Sequence, residues 1–157
     1  RHAGCREGGK GYPCRAIRTK DYLYVRNFDP DRWPAGSPER KHCVRHIRFG
    51  EVDPSPTKTV MMDEPKYAKL ADLAFGKRPA EELYDLSSDP HQLQNLAEHQ
   101  EFQKILVKLR QQIDHYLRKS GDPRLTDEPA LWDYYPFYRA PKFSGWKVDP
   151  MPTSFVP

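Results

Sequence analysis

Between residues 99 and 119, Phe102, Ile105, Leu106, Leu109, Ile113, Tyr116 and Leu117 recur at spacings of three and four. That period sets them along one stripe of a helix and predicts a helix over His99–Lys119. Glu98 and Glu101 near its start, and Arg118 and Lys119 near its end, suit the helix dipole. Gly121 and Pro123 stop it. Each large apolar side chain contributes about 1.5–3 kcal/mol when buried, so the stripe anchors the helix to a sheet. Strands are predicted at Tyr12–Thr19 and Tyr22–Asn27, with Lys20 and Asp21 at the turn between them. Alternation gives them a buried face of Ile17, Leu23 and Val25 and a basic face of Arg18, Tyr22, Tyr24 and Arg26. Thr57–Met62 reads as a third strand and Glu82–Leu86 as the last. Between them Pro65 fits the first turn of a short helix, Pro65–Phe75, which Gly76 ends.

Polar and Pro-rich stretches fill the rest. Residues 1–11 are Gly-rich and predict a loop. Phe28–Pro56 carries Asp29-Pro30, Trp33-Pro34, Ser37-Pro38 and Asp53-Pro54-Ser55-Pro56, and so predicts a long irregular excursion. From Asp122 onward, Trp132, Tyr134, Tyr135, Phe137, Tyr138, Phe143 and Trp146 follow no period. Residues 122–157 therefore read as an extended aromatic tail, and 1–121 as the folded part. Of the 157 residues only 37% are hydrophobic, while 31% are charged and 16 are Pro, which bounds the core to a modest size. A net charge of +4 is compatible with an anionic partner without identifying one. No apolar run is long enough to span a membrane. The chain starts at Arg1-His2-Ala3, which predicts a fragment or a processed product. Cys5, Cys14 and Cys43 are odd in number and imply no closed disulfide framework.

Three familiar chemistries fit poorly. His42-Cys43-Val44-Arg45-His46-Ile47-Arg48 approaches the tyrosine-phosphatase loop, but that loop needs five residues between Cys and Arg to ring a phosphate with backbone amides. Here the spacing is four, and a solvated basic loop is expected. Cys5, Cys14, His42, Cys43 and His46 include zinc-ligand types, yet no two ligand pairs have matching spacing. Arg15, Arg18, Lys20 and Arg26 with Tyr22 and Tyr24 imitate a base-stacking platform. The motif of an RNA-recognition sheet is missing, so no nucleic-acid partner is expected.

Two stretches carry a resemblance. Glu82-Leu83-Tyr84-Asp85-Leu86-Ser87-Ser88-Asp89-Pro90-His91-Gln92-Leu93-Gln94-Asn95-Leu96-Ala97 is similar to a signature near the C-terminus of type I, formylglycine-dependent sulfatases. Tyr12-Pro13-Cys14-Arg15-Ala16-Ile17-Arg18-Thr19-Lys20-Asp21-Tyr22-Leu23-Tyr24-Val25-Arg26-Asn27 resembles the strand pair that precedes it. Arg1-His2, Arg26-Asn27-Phe28, residues 31–36 and Ser55-Pro56-Thr57-Lys58 resemble the sulfamidase and heparan N-sulfatase branch most. The family pattern has Glu where this chain has Gln92.

The resemblance implies an α+β subdomain: a small antiparallel sheet, about four strands, packed on a long C-terminal helix. The four strand candidates and the helix suit it. It further implies that formylglycine and one calcium belong to a missing N-terminal catalytic domain, which would be the partner of this chain, and that the parent is exported (periplasmic, extracellular or lysosomal-type). Cys14-Arg15-Ala16-Ile17-Arg18 departs from the Cys-x-Pro-x-Arg nucleophile segment at Ala16 and falls inside a strand. Cys14 is therefore expected to face the core, and no catalytic or metal residue is expected on this chain. Arg1, His2 and Arg6 are the substrate candidates, since an Arg fork suits sulfate oxygens and a His suits a sugar hydroxyl or leaving group. Tyr84, Asp85, Asp89, Pro90 and Asn95 form the signature, with Asp89-Pro90 at a turn and Asn95 accepting from backbone amides. The role that follows is to complete the pocket of a sulfatase acting on a sulfated carbohydrate such as a glycosaminoglycan, without turnover by this chain alone. The alternative is a stand-alone module that binds sulfated glycans. An upstream Cys/Ser-x-Pro-x-Arg segment separates the two.

Overall fold

A computed structural model describes residues 11–39 and 47–125. The substrate candidates Arg1, His2 and Arg6, the His42–His46 loop and the tail from residue 126 lie outside the described residues. The elements run β1 (Cys14–Arg18), β2 (Tyr22–Asn27), α1 (Pro56–Asp63), α2 (Ala68–Phe75), β3 (Glu81–Asp85) and α3 (Gln103–Ser120). They fall into two units, one around Asp31–Lys77 and one made of Pro13–Pro30 with Arg78–Glu128.

The second unit is α+β, as the sequence implies. Its antiparallel sheet has the order β1-β2-β3. Among the described residues three strands stand where four are expected, because Thr57–Met62 lies in the helix α1. Its β-branched residues favour a strand, but Ser55 overrides them. The Ser55 side chain accepts from the Lys58 amide at 3.1 Å, and Pro56 sits in the first turn.

The hairpin register corrects the predicted faces. Ile17 lies opposite Tyr24, which lies opposite Leu83. Cross-strand partners share a face, so Ile17, Tyr24 and Leu83 point one way, and Leu23 and Val25 the other. Tyr24 and Leu83 are fully buried and pack with Leu96, Leu106, Leu109, Ile113 and Leu117. The α3 stripe thus holds the sheet as its period implies, except that Tyr116 is 69% exposed. A 3-10 turn at Gln100–Phe102 precedes α3.

Gly121 closes α3 in the left-handed region, φ 65° and ψ 35°. Its amide donates to Arg118 O at 3.1 Å, and the Asp122 amide donates to Leu117 O at 2.9 Å. A methyl at Gly121 would meet nothing within 4 Å. Gly121→Ala is therefore expected to cost about 1 kcal/mol through backbone strain alone. Urea denaturation checks this, and an unchanged midpoint would contradict the left-handed cap.

The first unit gathers Ala35, Phe49 and Phe75 in a small core, with Trp33, Met61, Met62 and Ala71 against it. Phe49 and Phe75 stack with ring centroids 5.1 Å apart. Lys58 is buried, and its ammonium donates to the carbonyls of Phe49 (2.8 Å) and Val52 (2.7 Å). The predicted Pro65–Phe75 helix is a 3-10 turn, Pro65–Tyr67, running into α2.

Candidate functional site

Strand β3 carries a carboxylate on each face. Glu81 points toward α3, where Arg110 clamps it through two bonds, Nε to Oε1 at 2.7 Å and Nη2 to Oε2 at 2.6 Å. The Tyr24 hydroxyl donates to the same Oε1 at 2.6 Å. The Arg110 bonds hold the Glu81 carboxyl below the usual carboxylate range. Burial first, then the neighbouring Glu81, pushes the Tyr24 phenol up. Arg26 reaches Asp114 of α3 at 2.5 Å and adds a second polar tie between sheet and helix.

Glu82 points to the opposite face and is only 4% exposed. It accepts from Arg78, from the Tyr84 hydroxyl, and from Asn27 Nδ2 at 2.7 Å. Arg78 also donates to the Tyr84 hydroxyl at 2.8 Å. Burial works to raise the Glu82 carboxyl, but these three donors outweigh it and hold it low. The Tyr84 phenol is raised by burial and by Glu82.

The rest of the signature folds back on β3. The Asp85 carboxylate accepts from the Ser87 hydroxyl at 2.6 Å and the Ser87 amide at 2.9 Å, which lowers its carboxyl and forms an Asx turn. Asp89 accepts from the Gln94 amide at 2.8 Å and is lowered by that bond first. Pro90 gives its carbonyl to Gln92 Nε2, and Gln92 itself lies at φ 52°. The chain then runs along the edge of β3. Asn95 Oδ1 accepts from the amides of Leu83 (2.9 Å) and Ala97 (3.0 Å), and its Nδ2 donates to Glu81 O at 3.2 Å. The Leu96 amide donates to Leu83 O at 2.8 Å. The Asn95 amide thus does at the sheet edge what a neighbouring strand's backbone would do.

Asn95→Ala removes these three bonds and leaves the Leu83 amide without its acceptor. A buried donor left unsatisfied costs about 1–3 kcal/mol, so a loss of that size is expected. Amide exchange at Leu83 and a denaturation curve test it together. Exchange as slow as in the wild type would show that another group holds the edge.

Tyr84 and Asn95 therefore converge on the middle of β3, while Asp85 ends the strand and Asp89 lies on the turn beyond it. Cys14, expected to face the core, is exposed in β1. The imagined stacking platform is taken apart. Tyr24 is buried, Arg26 is held by Asp114, and Arg15 Nε donates to Asp122 at 2.7 Å. Sequence reasoning missed Asn27, Arg78, Glu81, Glu82 and Arg110. Only the three-dimensional register reveals which carboxylate of Glu81-Glu82 meets which arginine. Among the described residues, no group of three or more His, Cys, Asp or Glu side chains is placed to hold a metal ion. No helix among them is long and apolar enough to cross a membrane.

No protein-family model matches the chain. Two curated relatives, both named ulvan-active sulfatase and both from Formosa agariphila, are similar to it. One is 32% identical over 120 residues, covering 74% of this chain and 18% of the relative. The other is 30% identical over 111 residues, covering 71% of this chain and 18% of the relative. The chain thus spans less than a fifth of these relatives' length, and over the matched residues it is related in sequence to sulfatases.

Proposed function

We propose that this chain is the C-terminal subdomain of a sulfatase that acts on a sulfated polysaccharide. The observation that carries the reading is the match to two sulfatases over a stretch that is 18% of each. A small antiparallel sheet packed on α3 is the fold the motif resemblance implies for that stretch. In this reading the subdomain stabilises the catalytic domain, and Arg1, His2 and Arg6 complete the substrate pocket. The heparan-type motifs and the ulvan-active relatives favour the same chemistry, an anionic sulfated glycan. Formylglycine and calcium belong to the upstream domain. The described residues do not fit either group, since Cys14 opens strand β1 without the Pro of the nucleophile segment and no metal-ligand cluster is present among them. Export of the parent protein completes the reading.

The intact mass and peptide map of the product made by the native host test this. A product several hundred residues longer, with a converted Cys or Ser peptide upstream, is expected. A product beginning near Arg1 would instead make the chain an independent glycan-binding module. In the longer protein, Arg1→Ala and Arg6→Ala should each lower kcat/KM. A hydrogen bond to a charged group is worth about 1.5–3 kcal/mol, so the expected loss is about tenfold to a hundredfold. Unchanged kcat/KM in both variants would remove these residues from the pocket.

A further inference from the structure

A groove of about 650 Å³ lies between the outer strand β1 and helix α3. Half-buried Ile17 and buried Ile113 give it an apolar lining. Gln111, Gln112 and Tyr116 stand exposed around it. Arg18, Lys108 and His115 complete the lining, and none of the three is ion-paired among the described residues. Gln111, His115 and Arg118 continue, with Asp114, into an adjoining cleft. Helical spacing sets Lys104, Lys108, His115 and Lys119 along the same exposed side of α3. The only acid on α3, Asp114, is already taken by Arg26. The groove is therefore a concave strip with positive charge, amide donors, one free aromatic face and an apolar lining.

We propose that this groove binds a chain of sulfated polysaccharide, through residues other than Arg1, His2 and Arg6. Each part of the strip answers a part of such a polymer. Arg18 and Lys108 meet sulfate or carboxylate oxygens. Gln111 and Gln112 offer both donors and acceptors to hydroxyls. The Tyr116 ring and the Ile17–Ile113 lining take the apolar face of a sugar ring. A nucleic acid is a poorer occupant, because its bases stack on successive aromatic side chains and the groove offers one. A membrane surface is poorer still, because it needs a protruding apolar helix face and this surface is concave. The choice of a sulfated ligand rests on the proposed function, but the grip itself requires no turnover.

The test uses the full-length product that carries this chain. Its binding to ulvan and to heparin is measured by calorimetry at two salt concentrations, with neutral dextran as control. The double variant Arg18→Glu/Lys108→Glu should weaken binding roughly tenfold or more and flatten its salt dependence, since two polyanion contacts are lost. Tyr116→Ala should weaken binding severalfold while leaving the salt dependence in place. All three positions are exposed, so the variants should melt like the wild type. Wild-type affinity in both variants would overturn the proposal. So would binding of single-stranded DNA as tight as that of heparin with Tyr116→Ala silent, which would mark a generic basic surface. Failure of Lys108 to react with an acetylating reagent in the free protein would also overturn it, because another segment would then cover the groove. Hydrolysis of a small aryl sulfate, read in parallel, separates the two ideas. Absent hydrolysis with groove-dependent binding would sink the sulfatase reading and support the groove. Normal hydrolysis with no groove-dependent binding would do the reverse.

Discussion

Leu83→Ala is expected to lower stability by about 2–5 kcal/mol, the range for emptying a well-packed leucine site. Leu83 is fully buried in the middle of β3 and meets the α3 stripe from below. Its backbone also carries the edge, since its amide bonds Asn95 and its carbonyl bonds the Leu96 amide. The void would open where the sheet, α3 and the 95–97 segment meet. These walls are tied in place by the Glu81–Arg110 and Arg26–Asp114 pairs, so they relax little. That argues for the upper part of the range. Leu93→Ala serves as the control. Leu93 is 58% exposed in the same signature, and its loss should change stability by no more than about 0.5 kcal/mol. Denaturant unfolding of the two variants, followed by far-UV circular dichroism, gives the comparison. Equal losses would mean that the core between β3 and α3 is not closed.

The part of this fold legible in the sequence is the part where period and punctuation agree. Leu106, Leu109, Ile113 and Leu117 repeat on a helical period, and Gly121 ends the helix in a conformation that favours glycine. Tyr22–Asn27 appears with its predicted bounds. The errors arise where a local preference meets a stronger constraint. Thr57, Thr59 and Val60 favour a strand, yet one serine cap and one proline start a helix. Leu23 and Val25 are more apolar than Tyr24, yet the register with Ile17 and Leu83 places Tyr24 in the core, where Glu81 satisfies its hydroxyl. Tyr116 shares the stripe by count but lies at its margin, and the groove beside it escapes any linear reading because β1 and α3 are about ninety residues apart in sequence. The polar signature was legible as a turn. That Asn95 substitutes for a strand was not, because this depends on where β3 lies.

The largest polar contribution is expected from Glu82, and Glu82→Ala should cost about 3–5 kcal/mol, the range for breaking a buried ion pair. The carboxylate is almost fully buried, and Arg78, Tyr84 and Asn27 all direct donors at it. Removing it leaves three donors facing a cavity. The Arg78 side chain is 25% exposed and recovers some hydration, which places the loss toward the lower end of that range. The linked pH dependence has a definite sign. The folded carboxyl lies below its ordinary value of 4.5, so the unfolded chain binds more protons as the solution is acidified. The stabilisation from Glu82 is complete above the ordinary glutamate range and fades as the pH falls through the folded value. Glu81, Asp85, Asp89 and Asp122 are lowered as well, so the wild-type curve alone reports their sum. The difference between wild type and Glu82→Gln isolates one carboxyl while keeping the side-chain volume. That difference should be largest near neutral pH and shrink in acid. A difference that stays constant from pH 7 down to about pH 3 would show that Glu82 has the same proton affinity folded and unfolded, and that the three donors do not hold its charge.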